Sequence, residues 1–268
     1  MITVTKYIAN LLLVLAASIL LALVSSATKA AQESIDVPNR VVLVHGLARS
    51  SLSMWALEMR LENAGYAVVS LDYSSLNRSV AEVQQQVRDQ LYACCNDNVP
   101  THYVGYSLGG LLIRGFFAEH ANQAFVINRR QVVMIGTPNN GTQIVDNFAE
   151  QQWFKLLGDT TLALGTQSNS FPMGLPLPDF SAGIIAGTES WSISDDILAE
   201  ASDGLVPVAS TKLPNMADFV SVYANHSMLR YNGKVAEQTI HFLQYGQFDH
   251  QASLPSCAGA DDCLPDQI

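Results

Sequence analysis

The sequence predicts an α/β protein with a mostly parallel sheet and helices on both of its faces. After residue 40, short apolar runs alternate with segments of helical periodicity, the pattern of strands and crossover helices. The run Val41-Val42-Leu43-Val44 is continuously apolar and rich in β-branched residues, as expected of a strand buried on both sides. With 268 residues, 49% hydrophobic and 14% charged, the chain can form one large core.

Six segments have the composition of strands in such a sheet. Each is a short apolar run, and turn residues or helical segments separate one run from the next. The predicted strands are 41–44, 67–71, 103–104, 132–135, 183–186 and 219–223.

Capping residues predict where the helices begin and end. Ser53 is the expected N-cap of a helix over 54–64, which Gly65 ends. Ser79 and Glu82 form a capping box at the start of the next amphipathic helix. Two further helices are predicted, over 108–119 and over 234–245, the second between Asn232 and Gly246.

The N-terminus is typical of an export signal. Lys6 is the only charge in the first 28 residues, and it precedes an apolar run over 8–24. Residues 1–30 are therefore predicted to be a signal peptide or, because such a run is near the lower limit for spanning a bilayer, a membrane anchor. The rest of the chain would then consist of one domain over 31–246 and a tail over 247–268. We expect the protein to be exported, to the periplasm or beyond, where a membrane surface is a candidate partner.

The charge balance argues against nucleic acid as a partner. The chain has 14 Lys and Arg against 24 Asp and Glu, a net charge of −10. Such a charge repels phosphate backbones. The oligomeric state cannot be read from composition.

Four cysteines suit an oxidising compartment. Cys257 and Cys263 lie in the tail, and a disulfide between them would close a small loop. Cys94 and Cys95 are adjacent, and because a bond between neighbours is strained, they are candidates for pairing with the tail instead. Four cysteines allow three pairings, and the sequence does not choose among them.

Gly105-Tyr106-Ser107-Leu108-Gly109 places a serine between a predicted strand and a predicted helix. A serine hydroxyl is a weak nucleophile unless it is exposed, oriented and deprotonated by a neighbouring base. A sharp strand-to-helix turn exposes the hydroxyl and directs the following N–H groups at the reacting oxygen. Ser107 is therefore the candidate nucleophile.

With this motif the chain resembles the α/β-hydrolase superfamily, and within it bacterial lipases and esterases of the small triacylglycerol-lipase type. The resemblance implies an α/β-hydrolase fold, here with fewer than eight strands because the first two are missing. It covers most of residues 41–230, and the matching segments keep the family's order. These segments are His45-Gly46-Leu47, Gly105 to Gly110, Gly136-Thr137-Pro138 with Gly141-Thr142, Asp203 to Pro207, and Asn225-His226-Ser227.

The order serine, acid, histidine in this fold makes His226 the candidate base and Asp203 the candidate acid. His226 follows the last predicted strand and precedes the last helix. Asp203 lies on a loop after a late strand and is followed by Gly204. Asp195 and Asp196 are the rival acids on the same connection, although they look like the start of a helix.

The family also implies an oxyanion hole made by two backbone N–H groups. Leu108 follows the nucleophile, and Leu47 follows His45-Gly46 at the end of the first strand. His45 is expected to brace this loop and not to react. No phosphate loop, dinucleotide fingerprint or metal-ligand cluster is present in the sequence, so neither a cofactor nor a metal is expected.

Residues 143–180 interrupt the alternation of strands and helices with a largely apolar stretch. Two interpretations stay open: an insertion that walls an acyl-binding cleft above the serine, or an ordinary pair of core helices. In the first, Trp153, Phe154 and Phe171 are the candidate substrate-binding residues.

These residues predict a serine hydrolase that cleaves carboxylic esters, with an ester or lipid as substrate. The same residues would serve an acyltransferase, a thioesterase or an amidase, and the sequence does not separate these reactions. A membrane-held binding protein on a hydrolase scaffold is a third hypothesis. It has to explain why the nucleophile, acid, base and both oxyanion loops are all present.

Overall fold

The described part of the chain is a six-stranded parallel sheet with helices on both faces, as the sequence predicts. A computed structural model describes residues 39–120, 127–190, 196–198 and 200–251. The predicted export segment and Cys257 with Cys263 lie outside these residues. Within them, no helix has the length and hydropathy needed to cross a bilayer.

The strands follow the order β2-β1-β3-β4-β5-β6, and every neighbouring pair is parallel. β1 therefore lies next to the edge strand β2, and β3 to β6 follow on its other side in chain order. The strands are β1 Arg40–Val44, β2 Ala67–Leu71, β3 Thr101–Tyr106, β4 Arg129–Ile135, β5 Ala182–Gly187 and β6 Asp218–Val222.

Longer helices cover the sheet, and short helices fill the loops at its carboxyl edge. The longer ones are α1 Trp55–Asn63, α2 Val80–Cys95, α3 Leu108–Glu119 and α10 Gly233–Tyr245. The short ones are α4 Gln143–Phe148, α5 Gln152–Lys155, α6 Asp159–Leu162, α7 Phe171–Gly174, α8 Val208–Thr211 and α9 His226–Leu229, with a 3-10 turn at Ser51–Met54.

Side chains of β1 alternate between two apolar cores, one on each face of the sheet. Val42 and Val44 pack with the buried faces of α2 and α3, and Val41 and Leu43 pack with α1 and α10. All four side chains are fully buried, which explains the uninterrupted apolar run of this strand.

One detail of the sequence predictions is wrong. Ser53 does not cap α1, because it lies inside the 3-10 turn and its hydroxyl donates to the Ser50 carbonyl. Phe248, the second residue of the predicted tail, is buried in the core beside Phe242. The capping box of Ser79 and Glu82 is confirmed.

The structure decides between the cysteine pairings that the sequence leaves open. Cys94 and Cys95 form a disulfide with each other at the end of α2. Cys95 is buried in the core beside Leu91.

A double variant tests this pairing. We expect Cys257→Ser with Cys263→Ser to contain no free thiol when the denatured, unreduced protein is titrated with a thiol reagent. Two free thiols in this variant would contradict the Cys94–Cys95 bond, because they would mean that the tail had been the partner.

The buried His102 of β3 makes stability depend on pH. Burial lowers its pKa to about 4, with a further contribution from Arg130, and its Nδ1 accepts the N–H of Gln131. The unfolded chain therefore binds the proton more tightly than the folded one, since an unperturbed histidine has a pKa near 6.5. This contribution is present above the unfolded pKa and is lost as the pH falls toward 4. Between pH 7 and pH 5 the protonation of His102 should lower the free energy of unfolding by about 2 kcal/mol.

We expect His102→Asn, which keeps an acceptor for the Gln131 N–H, to lose less stability between pH 7 and pH 5 than the wild type. Urea unfolding at the two pH values measures the difference. His241→Asn, at a half-buried position on α10, is the matched control and should behave like the wild type. Equal acid sensitivity of wild type and His102→Asn would contradict the assignment.

Candidate active site

Ser107 occupies a sharp turn between β3 and α3. Its backbone angles are φ 54° and ψ −123°, a conformation that is costly for a residue with a side chain. Its N–H donates to the carbonyl of Ile135 on β4 at 2.8 Å, which fixes the turn to the neighbouring strand. The sequence motif thus forms the strand–turn–helix arrangement in which a serine hydroxyl projects above the sheet.

Glycines on both sides of this serine permit close backbone approach. A Cβ added to Gly105 would lie 2.4 Å from the backbone nitrogen of Gly110, and one added to Gly109 would lie 2.0 Å from the carbonyl oxygen of Val44. A side chain at either position would push α3 away from β3 or from β1. The two glycines are therefore required by packing around the serine.

The structure brings Ser107, His226 and Asp203 together in one hydrogen-bonded line. His226 Nε2 lies 3.0 Å from Ser107 Oγ, and His226 Nδ1 lies 2.7 Å from Asp203 Oδ2. The carboxylate is an acceptor, so it selects the tautomer with the proton on Nδ1, which leaves Nε2 to accept the serine O–H. All three residues are buried.

Asp203 is held by the loop that follows it. Its second oxygen, Oδ1, accepts the N–H groups of Leu205 at 3.0 Å and Val206 at 2.8 Å. The intervening Gly204 has a φ of 89°, which lets the chain turn back toward the carboxylate. Of the rival acids, Asp196 is exposed at the surface, and Asp195 lies outside the described residues.

His226 is positioned by its backbone as well as by its ring. Its N–H donates to the carbonyl of Asp203 at 2.8 Å, and its carbonyl accepts the hydroxyl of Tyr106 at 2.7 Å. The Tyr106 ring lies 5.2 Å from the imidazole, and burial raises the pKa of this tyrosine to about 12. Tyr106 therefore stays a neutral donor. The sequence analysis missed this residue, although an aromatic residue directly before the serine is a signal that could have singled it out.

The loop after β1 runs beside the serine. A Cβ added to Gly46 would lie 3.1 Å from the Ser107 Cβ, and Leu47 lines the same cavity as Ser107. Leu108 opens α3 directly after the serine. Both predicted oxyanion residues thus adjoin the nucleophile.

His45 braces this loop from within the core. Its ring stacks on that of Tyr73 at 3.9 Å, and Tyr73 donates its hydroxyl to the carbonyl of His45. Nδ1 lies 2.8 Å from the carbonyl oxygen of Gly46, while Nε2 accepts the Tyr73 N–H at 3.4 Å. Burial lowers the pKa of His45, which suits a neutral imidazole with its proton on Nδ1.

A cavity of about 240 Å³ opens beside Ser107 and His226. Its walls are mainly apolar and come from the loops at the carboxyl edge of the sheet and from the 143–180 region. That region supplies Ile144, Val145, Phe154, Leu157, Thr161 and Leu164.

Of the three predicted substrate-binding residues, only Phe154 lines the cavity. The other two do not line it. Trp153 projects outward from α5 and is 56% exposed, because neighbours on a single helical turn face different ways. Phe171 packs against the core near Gly115 on α3 instead. Sequence analysis missed Val145, Thr161 and Leu164, which also line the cavity. They lie in the 143–180 region, but no sequence pattern there distinguishes residues of the cavity wall from residues of the protein core.

The described residues contain no group of three or more His, Cys, Asp or Glu side chains that could hold a metal ion.

Sequence comparison identifies one family model. The model, described as palmitoyl protein thioesterase, matches residues 40–172, just under half of the chain. The match includes Ser107 but ends before Asp203 and His226. No curated protein is significantly similar to the chain in sequence.

Solved structures share the fold at low sequence identity. The mature form of a lipase from Bacillus licheniformis has a TM-score of 0.61 at 17% identity, over 78% of this chain and 92% of that one. A metagenomic carboxyl esterase has a TM-score of 0.55 at 18% identity, over 72% and 66% of the two chains. A phospholipase from Legionella pneumophila has a TM-score of 0.52 at 18% identity, over 64% of this chain but only 45% of its own.

These structural likenesses establish a common architecture, and the family match covers the half of the chain that contains the nucleophile turn. The chain has the fold of the α/β-hydrolases, and it is similar in structure to a lipase and an esterase and, over residues 40–172, to the palmitoyl protein thioesterase model.

Proposed function

We propose that the protein is a serine hydrolase that cleaves carboxylic esters through an acyl-enzyme. The observation that carries the proposal is the line of hydrogen bonds from Ser107 Oγ through His226 to Asp203, at 3.0 and 2.7 Å. The serine lies on a strained turn and lines an apolar cavity. A serine, a base and an oriented carboxylate in this geometry are what acyl transfer requires.

In the first half of the reaction, Ser107 Oγ attacks the ester carbonyl while its proton passes to His226 Nε2. The resulting oxyanion would accept the N–H groups of Leu108 and Leu47. As the intermediate collapses, His226 returns the proton to the departing alkoxide, and an alcohol leaves. The acyl group then remains on Ser107 as an ester.

In the second half, water attacks the acyl-enzyme and gives its proton to His226 Nε2. Collapse of the second intermediate releases the carboxylic acid and restores the Ser107 hydroxyl. Asp203 stays ionised throughout, because its role is to hold the Nδ1 proton and to stabilise the imidazolium that forms twice in each cycle.

A fluorophosphonate tests the proposal directly, because it reacts with activated serines. We expect one equivalent to label the purified protein, and peptide mapping to locate the label on Ser107, together with loss of p-nitrophenyl ester hydrolysis. Labelling at another serine, or hydrolysis that survives full labelling, would contradict the proposal.

Thioester cleavage is the second candidate, and the match to the palmitoyl protein thioesterase model is the observation that favours it. The same residues would perform it, with a thiolate as the leaving group. Comparing kcat/KM for an ester and a thioester of the same acyl chain separates the two candidates, since the acyl half of the substrate is then constant.

A further inference from the structure

The cavity beside Ser107 is lined both by residues of the site and by residues of the core. Ser107, His226 and the exposed Arg49 belong to its lining. Val145 and Phe154, both at most 6% exposed, also line it, and they pack in the core on the α2 and α3 side of the sheet. A chain that extends from the serine toward Val145 and Phe154 therefore meets packed side chains.

Phe154 is the largest side chain that the 143–180 region contributes to the cavity, and two other rings pack near it. Trp153 packs edge-on against it at 5.4 Å, and the Phe148 ring lies 6.0 Å away. Packed aromatic side chains of this kind keep their places because the surrounding interior leaves little free volume. Phe154 thus acts as a wall of the cavity.

The volume of the cavity limits what can fill it. A cavity of about 150 Å³ holds one benzene molecule, which has six CH groups. By comparison, the cavity of about 240 Å³ holds about eight of the slightly larger methylene groups. A palmitoyl chain is about twice as long, so its distal half would remain in solvent.

We propose that this cavity binds the acyl chain, that it accommodates about eight carbons, and that Phe154 sets the limit. The preferred substrates are then octanoyl esters or thioesters, and palmitoyl substrates gain nothing from their extra length. The inference rests on the proposed acyl-enzyme chemistry and names the substrate class of the same site.

A series of p-nitrophenyl esters from acetyl to palmitoyl, measured in one detergent, tests the limit. Each methylene that becomes buried should raise kcat/KM by up to about fourfold, and the rise should stop near octanoyl. A value for the palmitoyl ester above that for the octanoyl ester by tenfold or more would overturn the proposal. A matching series with the chain on the alcohol side should show no such limit, and a limit there instead would also overturn it.

Phe154→Ala should move the optimum from octanoyl toward dodecanoyl. The phenyl ring leaves a space of about 150 Å³, which is the size of a cavity that holds benzene and is equivalent to about four or five methylenes. Phe171→Ala is the matched control, since it removes a phenyl ring of the same region that packs near Gly115 and does not line the cavity, and it should leave the optimum at octanoyl. Equal shifts in both variants would show that Phe154 does not set the limit.

Ile144→Phe gives a change in the opposite direction and does not depend on Phe154→Ala folding well. Ile144 lines the cavity and is half-buried, so a larger side chain there fills space without opening the core. The optimum should shorten to butyryl or hexanoyl, and an unchanged octanoyl optimum would overturn the proposed binding place.

Labelling with the fluorophosphonate distinguishes failure of the acyl-chain inference from failure of the proposed function. If Ser107 is labelled and esters are cleaved without a length limit, the acyl-chain inference fails and the proposed function stands. If folded protein neither reacts with the fluorophosphonate nor cleaves any ester, the proposed function fails, and the inference fails with it.

Discussion

Replacing Ser107 by Ala is expected to abolish ester turnover and leave the fold intact. Loss of the nucleophile in enzymes of this kind costs on the order of 10⁴–10⁶ in kcat. The protein should remain folded, because alanine removes only the hydroxyl beside His226 Nε2 and keeps the Cβ and the backbone of the turn. Initial rates with a p-nitrophenyl ester, alongside circular dichroism of the same samples, measure both effects.

The outcome that contradicts this expectation is residual activity. If folded Ser107→Ala keeps more than about a tenth of the wild-type rate, another group must be the nucleophile, because triad losses are orders of magnitude larger. Ser227 is the matched control, since it also lines the cavity but is absent from the hydrogen-bonded line. Ser227→Ala should stay within a few-fold of the wild type.

The second large effect is expected for Asp203→Asn. Its two oxygens accept from three donors, His226 Nδ1 and the N–H groups of Leu205 and Val206. An amide keeps only one acceptor oxygen, so its NH₂ group has to face either the imidazole N–H or the two backbone N–H groups. The imidazole is then left in the wrong tautomer or orientation, and kcat should fall by about 10⁴ near neutral pH.

Asp195→Asn and Asp196→Asn are the controls for this position, and both should stay within a few-fold of the wild type. Asp196 is exposed at a short helical segment, where a carboxylate contributes at most about 1 kcal/mol to local stability. A dead Asp195 or Asp196 variant beside an active Asp203→Asn would show that the acid had been misassigned. Circular dichroism of each variant separates loss of catalysis from loss of fold.

Much of the site could be predicted because its parts are local in sequence. The turn at Ser107 needs glycine at positions 105 and 109. A side chain at 105 would clash with Gly110, which is close along the chain, and one at 109 would clash with Val44 on the adjoining strand. The acid and base could be placed because a sheet of parallel strands brings its carboxyl ends to one edge, where the loops after β5 and β6 must meet the loop after β3.

The sequence by itself determined the fold class, the order of the six strands along the chain and the serine, acid and histidine of the site. Buried parallel strands appear in the sequence as continuous apolar runs. Amphipathic helices appear as apolar residues at helical spacing with capping residues at their ends. Only the tertiary structure decided which side chains form the cavity wall. A single helical turn such as α5 is too short to show a period, so Phe154 and Trp153 look alike until the core is packed.

Contacts between distant parts of the chain were likewise decided by the tertiary structure. The Tyr106 hydroxyl meets the carbonyl of His226, 120 residues away, and nothing local in either segment records that contact. The lowered pKa values of His45 and His102 have the same origin, because desolvation depends on how many layers of protein surround a side chain. The pairing of Cys94 with Cys95, which the sequence leaves open, is also known only from the folded structure.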